Sequence, residues 1–441
     1  MGEAKKRHLL MDETRSVSIT AINEARASEI LSKGDVEDAL RQILTHGIDP
    51  ASAEAKRMMV MMHMRTKKMD EAKKLLDQLY IDVPDGLTFK MLGDWHFLVN
   101  DFQKSQNWYG RALSKIPNHP DIVHDYAVAT VSMGKVDQGI QDFRKACELA
   151  PDRMDFKHHL AIMLVLGGYE KEGWEMMEYR MNVPGVVGAF PRPEAYWKGE
   201  NLAGKTIVLR TEQGFGDTIM FMRYASLINE QRPKKIYAFC QPAMCRFIEH
   251  YYPYVEAWNT TVPPPQDFDY HINLMSLPNV FKDRHIIAPA VPPQGDGIAV
   301  CWFGSPTHKA DHLRTVGFER FMALMDEFPK ERWLCGAYGF FDNKPDNIAY
   351  FLHRAKDWLD SAQILRKEVK LVITVDTAIA HLAGFLGIPV WLLLPKVPDF
   401  RWGMHGEQKW YESIKTYRCG KVLDWDPIFE RVRSDLKELC G

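Results

Sequence analysis

What the chain lacks narrows its chemistry first. No apolar run approaches the roughly 18 residues that a membrane-spanning helix needs. Stretches such as Leu160 to Leu166 and Val390 to Leu394 are core-sized. The first residues, Met1-Gly2-Glu3-Ala4-Lys5-Lys6-Arg7-His8, are not followed by the apolar region of a secretory leader. Gly2 sits where a myristoyl group is attached, but Lys6 replaces the Ser or Thr of that signal. An excess of one charge is also lacking. Lys plus Arg is 56 and Asp plus Glu is 58, a net charge of −2. That balance excludes a bulk polycation clamped on nucleic acid and leaves only local clusters such as Arg232-Pro233-Lys234-Lys235 and Lys67-Lys68. The seven cysteines, at 147, 240, 245, 301, 335, 419 and 440, are odd in number and form no CxxC pair. Cys240 and Cys245 are close, but no second pair follows at zinc spacing. Reduced, buried thiols in a cytosol-like compartment are the expectation. The predicted location is cytoplasmic, or the host cytoplasm for a viral chain.

What is present begins with a repeat. At roughly 100–200 residues per domain, a chain of this length holds several domains. Pro50, Pro84, Pro117 and Pro151 recur every 33 or 34 residues, as do Ala39, Ala72, Ser105, Gly139 and Gly173. That is the tetratricopeptide period. Within one unit, Val123, Tyr126, Ala127 and Thr130 share a helical face, Gly134 breaks it, and Gly139, Phe143 and Ala146 mark the next. Small residues let paired helices approach, and Pro ends the second helix because it supplies no N–H. The spacing predicts four helix pairs between about 34 and 182, with a leading helix near Ser18 to Leu31. These units resemble tetratricopeptide repeats. Such a stack needs no catalysis, so residues 1–182 are expected to bind a protein partner or to self-associate.

The grammar then changes. Residues 183–200, rich in Pro and Gly, read as a linker. Beyond them, β-branched runs alternate with helical windows, which predicts parallel sheets covered by helices. Strands are predicted at Thr206–Arg210, Lys235–Cys240, Tyr270–Leu274, Gly297–Trp302, Arg332–Tyr338, Leu371–Val375 and Val390–Leu394. The Pro289–Pro293 run divides a lobe of 201–290 from a lobe of 291–441. Each lobe has one element suited to an anion. In the first, Glu212-Gln213-Gly214-Phe215-Gly216-Asp217-Thr218 follows a strand, and its glycines permit a tight turn before a helix N-terminus with free N–H groups. Asp217 reads either as a helix cap or as a reactive carboxylate. In the second, Asp376-Thr377-Ala378 opens a helix at a strand's carboxyl edge, with His381 one turn on. In open α/β sheets ligands bind at that edge, and the helix dipole there favours a diphosphate.

Six ordered strings carry a resemblance over about 220 residues, Trp197 to Arg418. They are Trp197-Lys198-Gly199 with Leu202 to Thr206; Glu212 to Thr218; Leu274-Met275-Ser276-Leu277-Pro278; Trp302-Phe303-Gly304-Ser305; Val375 to Gly384; and Trp391 to Pro395 followed by Pro398-Asp399-Phe400-Arg401-Trp402. This half resembles the glycosyltransferases that follow tetratricopeptide arrays. Those are similar to the lipopolysaccharide heptosyltransferases and, more distantly, to the protein O-GlcNAc transferases. The resemblance implies a GT-B fold, two Rossmann-like lobes with a nucleotide-sugar between them. It implies metal-independent, inverting transfer with Asp217 as base. Trp302, Gly304, Ser305, His308, Arg314, Asp376, Thr377, Ala378 and His381 are then expected at the donor, and Gln213, Gly214, Gly216, Arg401 and Trp402 along the cleft. No cofactor is expected, since the nucleotide-sugar is a substrate. The acceptor is expected to be a protein or glycan, with a modified nucleic-acid base as the alternative. A third class is a repeat scaffold whose α/β half has lost catalysis. Two DxD strings, Asp267-Phe268-Asp269 and Asp424-Trp425-Asp426, could hold a metal elsewhere, but neither follows a strand in the right context.

Overall fold

In the computed structural model the described residues are 49, 51–282, 284, 286–305, 311–336, 348–351, 354–406 and 408–440. The predicted helix near Ser18 to Leu31, the repeat positions Ala39 and Pro50, and His308 lie outside them. The chain divides into two compact units, Met1–Met133 with Glu148–Ala150, and Gly134–Cys147 with Pro151–Gly441.

The repeat spacing becomes helices: α1 Ala53–Arg65 paired with α2 Met69–Asp82, α3 Gly86–Leu98 with α4 Phe102–Lys115, then α5 Pro120–Ser132 and α6 Val136–Leu149 in succession, and α7 Met154–Leu166 paired with α8 Glu170–Met176. Val60, Gly93, Ala127 and Ala161 occupy the same position of each first helix, and Ala72, Ser105, Gly139 and Gly173 the same position of each second helix. All are buried. Gly173 shows the constraint, because a Cβ there would lie 2.6 Å from Val165 Cγ2. Pro84, Pro117 and Pro151 follow the ends of α2, α4 and α6, where the missing N–H does no harm. The last pair is closed by Pro184, 33 residues after Pro151. Its second helix also tightens into a 3-10 turn, Met177–Asn182, before that Pro.

The second half has two parallel sheets. The first lobe holds β1 Thr206–Arg210, β2 Lys235–Cys240, β3 Val255–Asn259 and β4 Tyr270–Asn273, in the order β3-β2-β1-β4. The second holds β5 Gly297–Cys301, β6 Trp333–Cys335, β7 Ile348–Tyr350, β8 Val369–Val375, β9 Val390–Leu394 and β10 Ile414–Arg418, in the order β10-β9-β8-β5-β6-β7. The predicted architecture therefore holds in outline: a helical repeat array precedes two α/β lobes, each built on a parallel sheet. Three strands went unpredicted, β3, β7 and β10, and each is a sheet edge. An edge strand buries less, so its sequence carries fewer apolar residues; Ile414–Arg418 alternates Ile, Lys, Thr, Tyr, Arg. The predicted strand from Arg332 is shorter, Trp333–Cys335.

The Pro- and Gly-rich segment of 183–200 is largely exposed but is anchored on the first lobe by a few side chains. Phe190 meets the rings of Phe239 and Phe268 at 5.6 and 5.9 Å, and Trp197 is fully buried. In the second lobe, helix Asp426–Cys440 lays Phe429, Val432 and Leu436 on a core that includes Trp302, Phe321 and Trp333. Among the described residues no helix is long and apolar enough to cross a membrane.

Candidate functional site

Strand order picks out one edge of each sheet. In the first lobe the chain runs β1 to β3 in one direction, then returns to place β4 on the other side of β1. In the second it runs β5 to β7, then returns to place β8 on the other side of β5. The carboxyl ends of the strands beside such a reversal form a natural crevice. One reversal lies between β1 and β4, where Glu212 to Asp217 and Leu274 to Ser276 emerge. The other lies between β5 and β8, where Trp302 to Ser305 and Asp376 to Ala378 emerge.

Two helices start at these points, α9 Phe215–Met222 after β1 and α10 Ala378–Phe385 after β8. Their first turns meet. A Cβ on Gly216 would lie 2.8 Å from His381 Cδ2 and 3.5 Å from Ala378 Cα. Glycine is required there for the lobes to close. Gly216→Ala should cost about 1–3 kcal/mol of stability, as expected for overpacking a site whose neighbours cannot yield. His381 cannot yield because it stacks on Trp402 with ring centres 4.8 Å apart, and its Nδ1 pairs with the Tyr411 hydroxyl at 2.9 Å. Urea unfolding of the Ala variant measures the cost, and an unchanged midpoint would show that the contact relaxes freely.

Asp217 does not cap α9. The cap is Gly214, and Asp217 stands in the first helical turn with its carboxylate turned across the crevice. Arg401 Nε donates to Asp217 Oδ1 at 2.7 Å, and its Nη2 contacts the same oxygen. The other end of that guanidinium, Nη1, donates to Asp399 Oδ1 at 2.6 Å. Both side chains of the Asp217–Arg401 pair are largely buried. Burial pushes the Asp217 carboxyl up from its ordinary value, against the pull of Arg401. For Asp399, burial pushes upward but Arg401 wins and holds it below. Asp376, buried and facing Asp399, is pushed up to about 6.

The donor candidates separate into groups. Asp376, Thr377 and Ala378 lie at the carboxyl end of β8, as predicted. Thr377 caps α10 by position, but its side chain makes no cap hydrogen bond; its hydroxyl instead lies 3.1 Å from Thr374 Oγ1. Arg314 is at the same edge, with Nη1 donating to the Asp376 carbonyl at 2.9 Å and Nε to Asp311 at 2.9 Å. Gly304 approaches closely, since a Cβ there would lie 2.7 Å from Asp311 Oδ1. Ser305 is exposed at the end of the same loop. Trp302 is elsewhere: its ring packs at 4.4 Å on Phe318 in the lobe's core. His381 and Trp402 are likewise interior, 3% and 1% exposed. Burial and then the nearby Arg401 charge lower the His381 imidazole to about 3, so it is neutral and holds the lobes' packing. In the glycine loop, Gln213 offers its carbonyl to Gln241 Nε2 at 2.9 Å.

Sequence reasoning missed a buried pair beneath that loop. Arg180, from the 3-10 turn that ends the repeats, donates from Nε and Nη2 to Glu212 at 2.9 and 2.8 Å. Nη2 also reaches Ser276 Oγ at 2.8 Å, and Glu212 accepts from the Met275 N–H at 3.0 Å. No local signal marks Arg180, since its partners lie 32 and 96 residues away. The two DxD strings serve other ends. Asp269 accepts from the Thr206 N–H at 2.8 Å, and Asp426 pairs with Arg320. Among the described residues no group of three or more His, Cys, Asp or Glu side chains could hold a metal.

No protein-family profile matches the chain. The Caulobacter vibrioides protein FlbA is 23% identical over 411 residues, covering 78% of this chain. The chain spans 65% of that relative's length. A Thermobaculum terrenum O-GlcNAc transferase mutant aligns over 79% of this chain and 83% of its own, at 10% identity and a TM-score of 0.31. MamA aligns over 35% of this chain and 92% of its own, at 18% identity and a TM-score of 0.29. YrrB, a TPR protein with an unusual peptide-binding site, aligns over 37% of this chain and 80% of its own, at 17% identity and a TM-score of 0.27. Likeness at this level assigns no activity to the chain.

Proposed function

We propose that the chain is a glycosyltransferase that moves a sugar from a nucleoside-diphosphate sugar to an acceptor hydroxyl or amide, with its repeats helping to choose the acceptor. One observation carries this reading: the glycine loop of one lobe and the Asp376–Ala378 helix start of the other meet at two strand-order reversals, with a buried carboxylate, Asp217, between them. The free N–H groups of α10 and the cations Arg314 and Arg401 would stabilise the departing diphosphate without a metal. Asp217 would take the acceptor proton. The acceptor oxygen or nitrogen then bonds to the anomeric carbon as the carbon–oxygen bond to the diphosphate breaks. The proton ends on Asp217, the bonding pair on the diphosphate, and the anomeric centre inverts. A protein or glycan acceptor fits the chain's balanced charge better than a nucleic acid does.

The test is a panel of radiolabelled nucleotide-sugars, each offered protein, glycan and modified-DNA acceptors, with EDTA present and absent. Transfer of label in the chelator is the expected outcome. Label transferred to none of the acceptors would favour a scaffold. Activity lost in EDTA and restored by manganese would overturn the metal-independent mechanism.

A further inference from the structure

Arg401 holds an unusual position. Its guanidinium is largely buried, yet it is shared between carboxylates of two lobes, Asp217 on α9 and Asp399, which caps Arg401's own 3-10 turn, Phe400–Trp402. Asp376, just before α10, lies within electrostatic range of it. A diphosphate arriving at α10 therefore meets an Arg401 guanidinium already claimed by Asp217 and Asp399. Arg314 is already paired with Asp311. Among the described residues, Arg401 is a cation that joins the two lobes, and it can turn to a new anion only by loosening its hold on Asp217.

We propose that Arg401 is a shared counter-ion that couples the two halves of the site: it neutralises Asp217 while the donor site is empty and turns to the diphosphate when it is filled. This rests on the donor-site reading above. The consequence is chemical. A carboxylate whose oxygen accepts two guanidinium N–H groups is a poor base, because proton transfer to it must break a charge-assisted pair. Drawing Arg401 to the phosphates raises the basicity of Asp217 at the moment when a donor is present to react. Arg401 is thus a diphosphate ligand and a positioning residue for the base. An enzyme built this way would hold Asp217 in check until a donor arrives.

Competition for one cation makes a definite thermodynamic signature. Inorganic pyrophosphate carries the diphosphate charge without a base or sugar, and its affinity is read by calorimetry on the full chain. Asp217→Asn keeps the shape but gives up the ionic claim on Arg401. It should tighten pyrophosphate binding by roughly tenfold, the worth of one charge-assisted hydrogen bond. Arg401→Gln should weaken binding by a similar factor. The double variant decides the matter. If Asp217 acts through Arg401, adding Asp217→Asn to Arg401→Gln yields little or no tightening. An equal tightening in both backgrounds would mean plain repulsion between Asp217 and the anion, and would overturn the shared role. So would an Asp217→Asn protein with wild-type affinity. Should Arg401→Gln fail to fold, Arg401→Lys keeps the charge without the fork and should show a reduced gain from Asp217→Asn. Absence of pyrophosphate binding in every protein would remove the donor site itself. Binding without the Asn-dependent gain would remove only the coupling.

Discussion

Turnover of Asp217→Asn should fall by roughly 10²–10⁴, the worth of a positioned general base, while the fold is kept. The structure makes the substitution clean. Gly214 rather than Asp217 caps α9, so no cap is lost. The Asn oxygen can still accept from Arg401 Nε. The wild-type rate should also carry an acid limb above the ordinary aspartate range, because burial raises this carboxyl and it must be ionised to accept a proton. The limb should vanish in the Asn variant. Initial rates across pH, with circular dichroism on both proteins, measure the effect. An Asn variant with wild-type turnover would take Asp217 out of the chemistry.

The second large effect concerns stability. Arg180 is fully buried and Glu212 is 3% exposed on its side chain. Desolvating such a pair is costly, so the pair need not stabilise the fold more than apolar residues would. Breaking it is another matter. Arg180→Met leaves Glu212 buried without its guanidinium partner, and should cost about 3–5 kcal/mol. Because Glu212 opens the glycine loop, the Met variant should also lose turnover. Arg180→Met with Glu212→Leu removes both charges and should recover at least half of the lost stability. Urea midpoints of the three proteins test this. Additive losses in the double variant would mean that the two side chains act independently.

The same pair bears on where the chain can be cut. Arg180 is the last element of the repeats, and its partners Glu212 and Ser276 belong to the first α/β lobe. Met404 N–H also donates to the Leu166 carbonyl of α7 at 2.9 Å. Residues 151–182 therefore belong to the same compact unit as the lobes. A boundary at 182 follows the repeat period, which records how each helix pair packs on the next. It cannot record that the final pair packs on something else.

Much was determined by the sequence alone. The spacing of Ala72, Ser105, Gly139 and Gly173 carries the repeat, because a small side chain such as Gly173 is needed where two helices touch within one unit. The apolar runs Thr206–Arg210 and Val390–Leu394 carry inner strands, because a strand covered on both faces must be apolar throughout. The glycine loop and Asp376-Thr377 carry the crevice, because each follows a strand and opens a helix within a few residues. Tertiary structure alone decided the rest. The edge strands β3, β7 and β10 bury too little to declare themselves. Trp302, His381 and Trp402 have the same local surroundings as ligand-contacting residues, but only the packing of the lobes puts them in the interior. Asp217 and Arg401 are 184 residues apart. Their meeting depends on strand order and on two helix starts closing over Gly216. Local periodicity encodes what a segment buries against its neighbours in sequence. The partner a charge finds across a crevice is set by where distant strands are laid, and a single sequence holds no local trace of that.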